Sequence, residues 1–324
     1  MNGEVKHMEN KKSAADILKK IFGLLLLYIL VYVLLFLGQF LGIVLVNTIH
    51  VLLPQSTAQS DVWQTGSMYL IFIGVWVIMV LYMLIFKKNR PILRSVGSKL
   101  PGNNLRMLGL GLVIGFGLNM FCALVAMLCG DIHLRFDSFR PLSLILIFVM
   151  VFIQSSLEEL MTRGFLYQRL VRIYGSPVFA MIANSLLFAL LHIFNPGVTL
   201  LSSLNIFVVG LLFSLIVYYF DSLWCAFAVH AAWNFTQNIL LGLPNSGLVV
   251  PYSVFKLDAA RAVDSFAYNV GFGIEGSALS CVVLSAACVA VVIWGKKHAR
   301  RPTDVWTAFA NADKDKEINE NIAE

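Results

Sequence analysis

Long apolar segments alternate with short polar ones along the chain, and this pattern predicts a bundle of membrane-spanning helices. A hydrocarbon core about 30 Å thick requires about 20 mostly apolar residues per helix. This criterion predicts spans at 21–46, 67–86, 108–129, 142–156, 177–194, 204–220, 223–241 and 278–294. The predicted fold is therefore all-α, a polytopic membrane helical bundle of about eight transmembrane helices.

The composition supports a membrane protein with one helical domain. Hydrophobic residues make up 59% of the 324 residues and charged residues only 13%, whereas soluble domains carry about 25% charged residues. Repeated apolar segments joined by short loops favour a single bundle over two soluble domains. The predicted organisation is a basic arm at 1–20, one transmembrane domain at 21–295 with catalytic motifs within 158–234, and a solvated polar tail at 296–324.

Basic residues alternate between successive loops, as expected if they collect on the cytoplasmic side of a membrane. Five lysines precede the first predicted span, and loop 47–66 contains neither lysine nor arginine. Directly after the last span come Lys296, Lys297, Arg300 and Arg301. We therefore expect a multi-pass protein of the cell membrane with cytoplasmic N and C termini. These loop charges and the lipid bilayer explain the net charge of +6, so nucleic acid is not expected as a partner.

Ionisable and strongly polar residues occur at three places where a bilayer disfavours them. Such residues cost about 2.5–3.5 kcal/mol each at membrane depth and usually face a protein interior or a wet cavity. A spacing of four residues puts Glu159 and Arg163 on one helix face, and the same spacing holds for the other two pairs. The groups are Glu158, Glu159 and Arg163; Phe188 and His192; and His230 and Asn234.

Each group also has a structural interpretation when it is considered alone. Glu158 and Glu159 would fit a charged helix end, and the histidines and the asparagine would fit hydrogen bonds between helices. Together they provide the carboxylates and imidazoles that activate water and the donors that stabilise an oxyanion. Glu159 and Arg163 are expected to form an ion pair, which leaves Glu158 as the candidate base. The residues alone therefore predict an intramembrane hydrolase.

The three motifs, in this order across a multi-helix membrane protein, resemble those of the CAAX-processing and bacteriocin-processing (CPBP) intramembrane endopeptidases, which are related to type II CAAX prenyl endopeptidases. The resemblance covers about 142–241 and includes every motif position. It implies that Glu158 and His192 activate a water and that His230 and Asn234 bind the oxyanion. It further implies that Glu159 pairs with Arg163 and either orients the site or shares the base role, and that Phe188 packs the cavity wall.

Metal, substrate and rival functions stay open at this point. Zinc held by Glu158, His192 and His230 with an open water position is one alternative, and a metal-free glutamate and histidine mechanism is the other. The expected substrate is a membrane peptide or a lipidated protein. The rival functions are a proton-coupled transporter, for which the inverted repeats typical of such folds are not found, and a non-catalytic peptide-binding or immunity protein.

Overall fold

The computed structural model describes residues 2–298 and 302–309, with side chains from Ala15 onward. The helices are α1 (Asn2–Leu52), α2 (Gln55–Ala58), α3 (Asp61–Leu70), α4 (Phe72–Ile85), α5 (Arg90–Ser95), α6 (Leu105–Leu128), α7 (Pro141–Glu159), α8 (Tyr167–Tyr174), α9 (Pro177–Leu191), α10 (Leu200–Phe220), α11 (Leu223–Asn234) and α12 (Ala278–His298). Two π-helical segments, Leu160–Leu166 and Phe235–Leu240, continue α7 and α11. The 3₁₀ turns are Lys87–Asn89 and Ile274–Gly276, and the strands are β1 (Leu134–Phe136) and β2 (Phe255–Leu257).

The protein is a helical, polytopic membrane bundle, as predicted. Six helical stretches of the described chain are long and apolar enough to cross a membrane: Ala15–Leu52, Asp61–Ile85, Leu105–Leu128, Pro141–Tyr174, Leu200–Phe220 and Ala278–His298. The other two predicted spans correspond to α9, which has only 15 residues, and to α11 with its π-helical continuation. All eight predicted apolar segments are therefore helical, although two of them are short.

Near the motifs, the ends of two predicted spans are wrong. The fourth span was expected to end at residue 156, but the helical stretch continues from α7 through the π segment into α8 and ends at Tyr174. The reason is that Glu159 and Arg163 pair inside the protein, so these charges do not mark an exit from the membrane. The fifth span was expected to reach residue 194, but α9 ends at Leu191, and His192 is its C-cap.

Close helix packing joins α1 to the helix pair α3 and α4. A Cβ on Gly42 would lie 1.8 Å from the carbonyl oxygen of Ile71, and one on Gly74 would lie 2.3 Å from the carbonyl oxygen of Gly38. Small residues allow such backbone approach between membrane helices, where van der Waals packing drives association. Ile71 separates α3 from α4, so α1 crosses its neighbour where that neighbour is interrupted.

Helix α11 forms the centre of the bundle, and only Trp224 among its residues is not fully buried. Helices α6, α7 and α10 surround it. Gly111 and Gly115 on α6 bring its backbone close to the carbonyl oxygens of Cys225 and Val229. A polar residue on α11 therefore faces protein rather than lipid.

At one end of the bundle, the long segment 241–277 covers the helices. Strand β2 pairs with β1 in antiparallel register, with Leu134 opposite Leu257 and Phe136 opposite Phe255. The same segment packs against the turn after α9, where the Cα of Gly197 lies close to Gly271. We call residues 241–277 the cap, because they close this end above the interior of the bundle.

At the opposite end, residues 302–309 pack against the bundle. Thr303 Oγ1 donates to Asp221 Oδ2 at 2.5 Å, and the guanidinium carbon of Arg172 lies 4.3 Å from the ring centroid of Trp306. Val305 and Phe309 are buried. The expectation of a solvated tail is therefore wrong for these residues, since they have apolar side chains that bind the end of the bundle. The tail beyond residue 309 and the side chains of residues 1–14 lie outside the described part of the chain.

Candidate active site

Glu158 and Glu159 end α7, and Arg163 lies on the π-helical turn that follows them. Arg163 Nη1 is 2.9 Å from Glu159 Oε1, and both side chains are completely buried. The guanidinium also donates to Thr162 Oγ1 and to the carbonyl oxygen of Gly210. The predicted ion pair is confirmed, and it neutralises the deeper of the two carboxylates.

His230, on α11, lies between the two carboxylates. Its Nδ1 is 3.0 Å from Glu159 Oε1, and its Nε2 is 3.7 Å from Glu158 Oε2. An ionised carboxylate only accepts hydrogen bonds, so we assign the proton to Nδ1, which donates to Glu159. The ring of Phe213 stacks on the imidazole with centroids 5.1 Å apart. His230 is therefore held in one orientation, with Nε2 directed toward Glu158.

Glu158 itself is only partly engaged. Its Oε1 accepts a hydrogen bond from Gln154 Nε2 at 2.5 Å. Its Oε2 is buried and has no hydrogen-bond partner among the described residues. A separation of 3.7 Å from His230 Nε2 exceeds a direct hydrogen bond but suits a bridging water. Glu159 Oε2 is also buried without a partner among the described residues, but of the two glutamates only Glu158 lines the interior cavity.

His192 lines the same interior space as Glu158 and His230. Its Nδ1 lies 2.8 Å from the carbonyl oxygen of Phe188, and a carbonyl oxygen only accepts, so Nδ1 donates and Nε2 is left as an acceptor. The rings of Phe188 and His192 are 4.9 Å apart. The predicted pairing of these two rings on one face is confirmed, although His192 lies at the helix end.

Asn234 faces α7 one turn after His230. Its Nδ2 is 3.3 Å from Gln154 Oε1 and 3.3 Å from Ser155 Oγ. Gln154 therefore links Asn234 to Glu158, a role that the sequence analysis did not assign to it. The available signal was its position four residues before Glu158 on the same helical face. To act as an oxyanion donor, Asn234 Nδ2 must release one of these two long hydrogen bonds and donate to the substrate oxygen instead.

A cavity of about 520 Å³ connects these groups. Glu158, His192, His230, Asn234 and Phe188 all line it, so the structure brings five of the seven predicted residues to one space. Glu159 and Arg163 lie behind its wall. The rest of the lining is mainly apolar and comes from α1, α3, α4, α7, α10, α11, α12 and the cap, and it includes Leu35, Ile43, Phe72, Met161, Leu248 and Leu284.

A third buried carboxylate, Glu275, also lines the cavity and was not predicted. It lies in the cap, where its oxygens accept hydrogen bonds from Trp233 Nε1 at 3.0 Å and from the backbone nitrogen of Ser246 at 2.6 Å. Burial raises the pKa of the Glu275 carboxyl above its ordinary value, and the hydrogen bonds from Ser246 and Trp233 oppose this effect. Glu275 thereby connects the cap to α11, next to Asn234.

Zinc held by Glu158, His192 and His230 was one of the alternatives that the sequence left open. Catalytic zinc is held by three protein ligands within about 2.3 Å of the metal. In the described part of the chain, no three histidine, cysteine, aspartate or glutamate side chains converge in this way. Glu158, His192 and His230 as arranged do not form a zinc-ligand set, so the steps proposed below use only side chains and water.

Comparison with known proteins places the motifs within one recognised domain. Residues 140–236 match the family model described as type II CAAX prenyl endopeptidase Rce1-like. No curated protein shows significant similarity to the chain. The matched segment, less than a third of the chain, begins at the start of α7 and contains all three motifs. Residues 140–236 are therefore similar to the Rce1-like domain of type II CAAX prenyl endopeptidases, and this similarity includes all three motifs.

Proposed function

We propose that the protein is an endopeptidase that hydrolyses a peptide bond of a membrane-associated substrate, with a water activated inside the bundle. The observation that supports this most directly is Glu158 Oε2, a buried acceptor without a partner among the described residues. Glu158 lines a cavity of about 520 Å³, and its Oε2 lies 3.7 Å from an imidazole nitrogen of His230. Buried polar atoms are normally hydrogen-bonded, so this atom is the natural partner of a water.

In the first step, Glu158 accepts a proton from the water, and the water oxygen attacks the carbonyl carbon of the substrate. His192 Nε2 supplies a second acceptor that orients this water. Positioned general bases contribute about 10²–10⁴-fold to rates. Collapse of the tetrahedral intermediate then breaks the C–N bond, and the proton held by Glu158 passes to the leaving nitrogen. The products are a carboxylic acid and an amine, so atoms and protons balance.

The oxyanion of the intermediate is assigned to His230 and Asn234. Because His230 Nδ1 donates to Glu159, Nε2 donates to an oxyanion only when the ring is protonated. Glu159, which pairs with Arg163, would stabilise that imidazolium. Removing a single oxyanion donor in other hydrolases costs about 2.7–4 kcal/mol. The buried ion pair is therefore proposed to act through His230 and not on the substrate.

We propose that the protein spans the cell membrane with both termini in the cytoplasm. Tyr174 at the end of α8 donates to the carbonyl oxygen of Lys20, and Arg172 contacts Trp306. The beginning of the first span and the start of the tail therefore lie at the same end of the bundle. The basic residues at this end favour the cytoplasmic side.

Turnover of tagged membrane peptides by the purified protein in lipid tests the proposal. We expect Glu158→Gln and His192→Ala to lower kcat by at least 10²-fold, because each removes a group that contacts the water. Asp16→Asn, an exposed carboxylate on α1, is the control and should retain full activity. The same assay with a chelator distinguishes a zinc-dependent reaction, which the chelator would inhibit, from the metal-free steps, which it would not. Equal turnover by wild type and Glu158→Gln would contradict the proposal, as would peptide binding or ion transport with no cleavage of any peptide.

A further inference from the structure

A short segment of the cap, residues 248–250, follows a tight turn and forms part of the cavity wall. Asn245 and Leu248 exchange two backbone hydrogen bonds, each with a nitrogen–oxygen distance of 2.9 Å. Leu248 and Val250 line the cavity, whereas Val249 between them does not and is 63% exposed. Alternation with a period of two is typical of an extended strand, in which successive side chains point to opposite faces.

The residue types around this segment also favour an extended backbone. Val249 and Val250 are β-branched, and β-branched residues are enriched in strands. Pro251 follows them, and a residue before a proline is shifted from the α region toward extended conformations. The preceding turn has two residues with positive φ, Ser246 at 48° and Gly247 at 81°, as in a two-residue hairpin turn. The segment therefore begins the second side of a small hairpin.

Hydrogen bonds fix the segment to the bundle on both sides. Asn238 lies four residues after Asn234, on the π-helical continuation of α11, and its Nδ2 donates to the carbonyl oxygen of Leu248 at 3.1 Å. After the proline, the backbone nitrogen of Tyr252 donates to Thr65 Oγ1 on α3 at 2.8 Å. The segment is therefore held in a defined position relative to Asn234, one of the two proposed oxyanion donors.

Between these two anchors, the backbone has an edge without partners. Neither the N–H nor the C=O group of Val249 or Val250 makes a hydrogen bond to any described residue. In an extended strand, the backbone groups of successive residues point to opposite sides, and those of Leu248 point to Asn245. The N–H and C=O groups of Val249 therefore point away from the hairpin. Such an unpaired edge is a template for one more strand.

We propose that a substrate peptide binds as an extended strand along this edge, with one substrate residue paired to the backbone N–H and C=O groups of Val249. This inference rests on the proposed endopeptidase function and specifies how that site holds its substrate. Strand addition to an exposed edge is a recurring mode of peptide recognition, in which main-chain hydrogen bonds supply affinity. One helical turn, about 5.4 Å, separates Asn238 from Asn234, and a strand advances about 3.3 Å per residue. The paired substrate residue therefore lies within about three residues of the scissile bond.

Two variants at position 249 differ in the backbone group that the proposal uses. Val249→Pro lacks the N–H, and Val249→Ala keeps it. Neither change removes a hydrogen bond seen in the structure, and Leu248, in its β-bridge, already has the extended backbone that a following proline favours. We expect kcat/KM for a cleaved membrane peptide to be at least about fivefold lower in Val249→Pro than in Val249→Ala, mainly through KM, because one backbone hydrogen bond is lost. Equal values in two folded variants, as judged by thermal unfolding, would overturn the proposal.

Backbone methylation of the substrate tests the same pairing in the unaltered protein. Each peptide of a series carries one N-methyl group within about three residues of the scissile bond, but not at that bond. In the wild type, we expect one position to lower kcat/KM by at least about fivefold and its two neighbours to be tolerated, because only alternate residues of a strand point to its partner. In Val249→Pro, the same methyl group should cost less, since both changes disrupt one residue pair.

Two results of this series would overturn the proposal. One is a wild type without any sensitive position, a result that does not depend on the folding of a variant. The other is an equal loss from the sensitive methyl group in the wild type and in Val249→Pro. Failure of the wild type to cleave even the unmodified peptide is a different result, because it would contradict the endopeptidase function and the inference with it.

Discussion

At the scale of single residues, two neighbouring glutamates have different surroundings. Glu159 is fully buried, pairs with Arg163 and accepts a hydrogen bond from His230. Each carboxylate has one oxygen without a hydrogen-bond partner among the described residues, but only Glu158, one residue earlier and about 100° around the helix, lines the cavity. This division suggests that Glu159 contributes mainly to the folded structure and Glu158 mainly to the chemistry.

The two carboxylates should therefore differ in their effect on stability. Glu159→Gln leaves the buried Arg163 without its counter-charge, and removing one partner of a buried ion pair costs about 3–5 kcal/mol. Glu158→Gln keeps the acceptor used by Gln154 and removes no other hydrogen bond, so the loss should stay below about 1 kcal/mol. Thermal unfolding of both variants in the same detergent measures the difference. Equal melting temperatures would refute the assignment of roles.

The residue scale also shows what the sequence could and could not predict. The ion pair between Glu159 and Arg163 was predictable from helical spacing, because both residues lie on one continuous helical stretch. Glu275 was missed because it lies in a long loop, 41 residues after Asn234, and helical periodicity carries no information about where a loop folds back. The orientation of His230 also needed the structure, since its partner Glu159 comes from another helix.

At the scale of elements, π-helical segments follow two of the three motifs directly. Leu160–Leu166 begins after Glu159, and Phe235–Leu240 begins after Asn234. Such segments are rare and often occur at functional sites. Hydrophobicity predicted that each segment is apolar and helical, but it does not distinguish an α-helical from a π-helical turn. The short strands β1 and β2 were not predicted either, because three residues provide too little alternation to indicate a strand.

Packing between α1 and the interrupted pair α3 and α4 leads to a further prediction. Gly42→Leu would place a Cβ 1.8 Å from the backbone of Ile71, so α1 must move away from its neighbour. Because α1 contributes Leu35, Gln39 and Ile43 to the cavity, this movement should also reduce activity. Overpacking costs about 1–3 kcal/mol, which thermal unfolding can detect. Gly23→Leu, on the same helix with nothing within 4 Å, is the matched control and should unfold like wild type.

At the scale of the whole molecule, the two ends of the bundle have different constructions. The cap, with β1 and β2, closes one end above the cavity. The other end has the basic residues that follow α4 and α12 and the docked residues 302–309. The sequence alone predicted that the basic residues collect at one end of the bundle. Assigning the loops to the two ends requires only the order of the spans along the chain. Docking of residues 302–309 was not predicted, since their buried contacts come from distant helices.

Accessibility to a membrane-impermeant thiol reagent in intact cells tests the proposed orientation. Cysteine at Ala260, an exposed position in the cap, should be labelled, whereas cysteine at Lys297, an exposed position at the end of α12, should be labelled only after the cells are permeabilised. Both variants are made with Cys129→Ser, because Cys129 is exposed; this background without a new cysteine gives the baseline. The opposite labelling pattern would mean that the termini lie outside the cell. The cap and the cavity beneath it would then face the cytoplasm, and substrates would have to approach from that side.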